Sequence, residues 1–154
     1  MVTGPIQQPS AVFEAVRPYA AHRGPLAGDV HALARALAGP PGEPRFRELV
    51  ALRLVPVQQS FAEHVQVTEG PSGRYAELLA HAPRLYRGVR LLTREHDLIA
   101  AALADLQEAA ELPGVPVDVL LDRAGRLLRA LARHRRRGAD LLWQAYQTDL
   151  GGET

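Results

Sequence analysis

The amino-acid sequence predicts an all-α domain, an antiparallel up-down four-helix bundle with an N-terminal arm. Three observations carry this expectation. Ala and Leu dominate the 154 residues and aromatics make up 5%, a composition rich in strong helix formers. Pro and Gly gather in clusters and leave long segments between them, which is how helices are punctuated. Within those segments apolar residues recur at alternating spacings of four and three, the period of a helix with one buried face. No strand alternation or hairpin signal competes with it. Helices joined by short connections bury such faces best against antiparallel neighbours.

The arm spans residues 1–24, where Pro18 and Gly24-Pro25 interrupt any long helix. The first helix runs from Pro25 or Leu26 to Ala38 and is ended by Gly39-Pro40-Pro41-Gly42. The second covers roughly 44–69, with Pro44 in its first turn and a kink expected at Pro56. A loop, Glu69-Gly70-Pro71-Ser72-Gly73, and a short piece from Tyr75 to Ala82 lead into the third helix, Pro83 to about Leu112. After the turn Leu112-Pro113-Gly114-Val115-Pro116, the fourth helix opens near Asp118 and ends near Asp149, stopped by Gly151-Gly152. The bundle thus takes residues 25–150, with a tail at 151–154.

Composition excludes several chemistries. There is no Cys, hence no disulfide, thiolate zinc site or Cys nucleophile. All 18 basic residues are Arg, so Schiff-base and Walker-type lysines are excluded. A net charge of +1 and few aromatics give no footprint for nucleic acid. No phosphate-loop, dinucleotide, nucleophile-elbow or H-E-x-x-H motif occurs. The opening MVTGPIQQPS does not read as a signal peptide, and the longest apolar run, Leu98 to Ala104, is too short to span a bilayer. A cytoplasmic protein with no membrane association is expected. Seven arginines between Arg123 and Arg137 on the fourth helix read as a solvated face.

The helical stripes place three histidines where the pattern calls for apolar residues. The second helix reads Val50, Leu54, Val57, Phe61, His64, Thr68, and the third reads Leu85, Val89, Leu92, His96, Ile99, Leu103, Leu106. The fourth reads Leu120, Ala124, Leu127, Leu131, His134, Gly138, Leu141, Ala145. On the first helix His31 borders the stripe Leu26, Val30, Leu33, Leu37. A buried imidazole needs a hydrogen-bond partner or a metal ion, because an unsatisfied polar group costs about 1–3 kcal/mol. A lone core His is usually satisfied by a neighbouring group; several converging within one bundle point to a metal or cofactor site. His22 and His81 lie off the stripes and read as surface or arm residues.

One core His per helix resembles the hemerythrin-like family. The segment Arg94-Glu95-His96-Asp97-Leu98-Ile99 followed by Leu131-Ala132-Arg133-His134 looks like one half of such a domain, and His31 followed by His64 like the other. The stretch from His64 to Pro71, and the tail from Arg137 to Tyr146 with Gly151-Gly152, resemble actinobacterial members. The resemblance spans about residues 26–152. It implies a bundle holding non-heme iron, with His31, His64, His96 and His134 as ligands and dioxygen or peroxide as the small molecule handled. The family's second ligand, one turn after each His, falls here on Arg35, Thr68, Ala100 and Gly138, none a usual iron ligand. Glu69 and, less directly, Asp140 are the carboxylates left to serve. This points to a reduced, His-rich site, with a metal-free binding module or a His-dependent enzyme of specialised metabolism as alternatives. Ala100 and Gly138, both small and near core histidines, could leave a cavity where ligands were lost.

Overall fold

A computed structural model describes residues 25–151, with side chains through Gln147. The chain is all-helical over that range. The helices are α1 (25–37), α2 (Phe46–Glu69), α3 (Arg74–His81), α4 (Tyr86–Glu111) and α5 (Val117–Gly151), with a 3-10 turn at Pro83–Leu85 before α4. The expected arm over 1–24, His22 and the last three residues lie outside the described residues. No helix among the described residues is long and apolar enough to cross a membrane.

The punctuation acts where the sequence puts it, with small shifts. α2 starts at Phe46 because residues 43–46 first close a tight turn, with the Phe46 amide donating to the Glu43 carbonyl. Pro56 sits inside α2 and the helix is assigned continuously through it. Pro56 offers no N–H to the Leu52 carbonyl, but Leu52 is an exposed residue, so water can serve that carbonyl. At the α2–α3 turn Gly73 is required by close approach. A Cβ there would fall 2.7 Å from the Thr68 carbonyl oxygen and 2.8 Å from the Gly70 backbone.

α2 packs on α4, α4 on α5, and α3 on α2 and α5. Arg47, at the start of α2, donates from Nη1 to the carbonyls of Ala109 (3.2 Å) and Leu112 (2.9 Å). The start of α2 therefore lies against the end of α4 and satisfies carbonyls a helix terminus leaves open. α4 and α5 approach closely at Gly88, where a Cβ would stand 2.5 Å from Leu141 Cδ1. α1 is tied to α2 by a hydrogen bond from the Ser60 hydroxyl to the Asp29 carboxylate.

The buried residues follow the helical stripes closely. Every stripe position on α5 and α4 is buried, and Leu85, in the turn before α4, is half-buried. The apolar core is nevertheless in two parts. The larger part runs through Leu33, Leu54, Phe61, Ile99, Leu103 and Leu131, and the smaller joins Tyr75, Val89, Leu92 and Leu141. Along α4 and α5, His96 and His134 occupy the stripe positions between the two parts. A polar layer thus interrupts a core whose fully buried leucines each contribute about 1.5–3 kcal/mol.

Candidate metal centre

Three helices each bring one imidazole to that layer. His64 on α2, His96 on α4 and His134 on α5 each offer a ring nitrogen within 4.8 Å of the others. The ring centroids lie 5.1 Å (His64–His96), 5.4 Å (His64–His134) and 4.7 Å (His96–His134) apart. Phe61, one turn before His64, touches all three rings at centroid distances of 5.9, 5.7 and 6.3 Å. It carries the larger core up against the three rings.

The hydrogen bonds assign the protons. His134 Nδ1 lies 3.1 Å from Glu95 Oε1. An ionised carboxylate only accepts, so Nδ1 carries the hydrogen and donates it. Burial pushes the His134 imidazole below its usual pKa against the raising influence of Glu95, so the ring is neutral and Nε2 keeps its lone pair. That lone pair faces His64 Nε2 at 3.3 Å, and His64 Nε2–H is the donor there. Glu95 is itself held by the Arg137 guanidinium. A carboxylate fixing the tautomer of a histidine whose other nitrogen points into a cluster is the usual outer support of a metal ligand.

His96 is the most enclosed of the three, at 1% exposure. Burial, with His134 and His64 as further causes, pulls its pKa down to about 3, so it stays a neutral donor. Tyr75 of α3 stacks on this ring and places its hydroxyl 3.3 Å from Nε2. Glu69 Oε2 lies 3.2 Å from Nδ1 but out of line for a hydrogen bond, so this buried nitrogen has none. The Glu69 side chain is 28% exposed, and burial, then the neighbouring Asp97 charge, push its pKa up.

The sequence-derived candidates therefore divide. His64, His96 and His134 converge, and Glu69 stands at their edge. His31 does not join them: it is exposed on α1, turned off the stripe it borders. Arg35 and Asp140 are exposed as well. Thr68 is buried, but its hydroxyl bonds back to the carbonyls of His64 (2.9 Å) and Val65 (3.1 Å) and offers nothing inward. Ala100 is exposed, so it leaves no cavity. Gly138 lines a small one of about 60 Å³ away from the imidazole cluster, beside Tyr75 and Leu141. Another cavity, about 180 Å³, lies on a different side, where α1, α2 and α5 meet against His64 and His134.

Two site residues escape the sequence reading. Glu95 immediately precedes His96, and one residue is a 100° turn, so it faces α5 while His96 faces inward. Tyr75 belongs to the short α3, whose role no periodicity reveals. His81 is exposed, as expected for a residue off the stripes, and packs near the Tyr146 ring. The arginines of α5 are exposed too; Arg126 pairs with Asp122 one turn back, and Arg137 reaches Glu95. No family model, curated protein or solved structure matches this chain.

Proposed function

We propose that this chain is a metal-binding protein of hemerythrin-like type, an up-down antiparallel bundle in which His64, His96 and His134 hold one transition-metal ion. The observation that carries the reading is the convergence of three imidazole nitrogens within 4.8 Å in a buried layer. The donor set fits a metal. Two of the rings are held neutral, as ligation requires. His134 has its tautomer set from outside by Glu95. His96 keeps a buried nitrogen without a hydrogen-bond partner, a state that normally calls for an explanation. Four-coordinate ligands at metal–nitrogen distances of about 2.0–2.1 Å stand about 3.3–3.4 Å apart, and the His64 and His134 Nε2 atoms are 3.3 Å apart.

Glu69 is the carboxylate placed to join the three imidazoles, and Tyr75 positions His96. Iron is the metal the resemblance implies, with dioxygen or peroxide entering by the cavity beside His64 and His134. A bound ion would supply Lewis-acid or redox chemistry at the inner wall of that cavity. The protein's own part is to bring three imidazole donors together, hold His134 Nδ1–H hydrogen-bonded to Glu95, and back the rings with Phe61. Metal content decides the matter: protein made in iron-supplemented medium and purified without a tag or chelator should carry close to one metal per chain. Its absence from folded protein would leave a metal-free module, a reading favoured by the mutual hydrogen bond of His64 and His134.

A further inference from the structure

We propose that the groove between α4 and α5 is where a second copy of this chain docks, giving a two-fold dimer. The groove, about 750 Å³, is lined by α4, α5 and the turn that joins them, and no described residue of α1 or α2 lines it. Along its α4 side runs a second stripe, beside the buried one. Leu91, Leu98, Asp105 and Leu112 recur every seven residues, and Ala102 and Ala109 fall four after Leu98 and Asp105. Alternating spacings of four and three mark a seam for another helix. Yet Leu91, Leu98 and Leu112 are exposed, Leu98 to 65%. Ala102, Ala109 and Ala130 line the groove between these leucines and α5, and their small side chains let a neighbouring helix come close.

The charges say what fits. Glu95 meets His134 and Gly88 meets Leu141, so a step along α4 is matched by the reverse step along α5. In that register Glu108 stands near the level of Arg123, Asp105 near Arg126, Leu98 near Arg133 and Leu112 near Val119. A two-fold axis along the groove lays α4 of one copy over α5 of the other at the same level. Glu108 and Asp105 then meet the partner's Arg123 and Arg126, Leu112 meets Val119, and the stem of Arg133 covers Leu98. Among the described residues Asp105, Glu108, Arg123 and Arg133 make no ion pair, and Arg126 holds only Asp122. That exposed pair is worth little, so Arg126 is free to turn to Asp105. A partner of one charge sign would suit one wall and be repelled by the other, whereas a second copy brings both signs in matching order. From Leu91 to Leu112 the face is about 30 Å long and, across two helices, about 20 Å wide, the scale of the about 800 Å² per partner that stable interfaces bury.

Sedimentation equilibrium of the full chain tests this. At about 100 µM the protein should have the mass of two chains, and Leu98→Glu should return it to one; Leu112→Glu serves if that variant does not fold. Glu108→Arg and Arg123→Glu, made singly, each set like charges together at both symmetric contacts and should weaken association about tenfold. An equimolar mixture of these two variant chains should recover it, because in the mixed pair opposite charges meet at both contacts. The mass of one chain for the unaltered protein would overturn the dimer. A dimer indifferent to both leucine substitutions would put the contact on another face and overturn the groove. Weakening by each reversal with no recovery on mixing would overturn the two-fold pairing. None of these measurements depends on metal content, so failure of the metal reading leaves them intact.

Discussion

Acid should destabilise this protein through His96 well before its carboxylates are protonated. The ring is 1% exposed and its pKa falls from 6.5 to about 3 on folding. The folded pKa lies below the unfolded one. Between pH 3 and 6.5 the unfolded chain therefore binds a proton the folded chain refuses, and stability falls as pH falls through that window. A full proton is worth about 1.4 kcal/mol per pH unit, so acidification from pH 7 to 5 should cost about 2 kcal/mol from His96 alone. His134, whose pKa is also lowered, adds loss of the same sign. Glu69, whose pKa is raised, opposes it at the acid end, because the folded chain takes up that proton first. Urea unfolding of metal-free protein at pH 7, 6 and 5 reads the effect. With a slope of about 2 kcal/mol per molar urea, the midpoint should drop by about 1 M. His96→Leu puts an apolar residue at this core position and removes the proton, so its pH dependence should be shallower by about 1.4 kcal/mol per unit. Parallel pH profiles for the two proteins would refute the claim that His96 is held neutral by burial.

Other perturbations report on separate parts of the structure. A divalent transition metal at about 100 times its dissociation constant should stabilise the fold by about 2.7 kcal/mol, raising Tm by about 5–10 °C in scanning calorimetry; no shift would remove the metal reading. Glu95→Gln should weaken metal binding by about 10–100-fold without changing stoichiometry, measured by competition with a chromophoric chelator. Phe61→Ala should cost about 3–5 kcal/mol in urea unfolding, since it opens the core beneath the three rings. Gly73→Ala should cost about 1–3 kcal/mol, because the obstacle 2.7 Å away is backbone that cannot swing aside.

Periodicity made the inward faces of the helices legible, and with them the three histidines that meet. On α5 the stripe from Leu120 to Ala145 is buried at every position, because a long helix with one apolar face has one way to turn. Periodicity speaks only of the helix that carries it. Whether His31, one residue past Val30, rotates inward depends on how α1 is set against α2, and it rotates outward. Ala100 turns outward through the angle of its own helix. Four residues advance the helix by 400°, so Ala100 lies 40° beyond His96 and about 80° from Leu92, past the edge of the buried stripe. Glu95 and the cavity belong to pairs and triples of helices, where a residue's value depends on what the neighbour presents. Nothing in the sequence Glu95-His96 signals that Glu95 serves a histidine 39 positions later.

Charge, as well as geometry, favours one ion over two. Two metal ions held close need bridging carboxylates to offset their mutual repulsion. Glu95 is engaged on both sides, accepting from His134 Nδ1 and held by Arg137, so turning it inward would strand the guanidinium and free the His134 tautomer. Glu69 stands beside His96 but shares its surroundings with Asp97, and no other carboxylate joins the imidazole cluster among the described residues. Three neutral imidazoles and one carboxylate carry a single negative charge between them. Against one divalent ion this leaves one positive charge, which the polar edge near Glu69 and Asp97 can screen. Against two it leaves three in a layer bounded by Phe61 and Leu92, a cost of several kcal/mol per unpaired buried charge. Metal analysis close to two ions per chain would therefore contradict the electrostatics as well as the donor count, and would require Glu95 to have left His134.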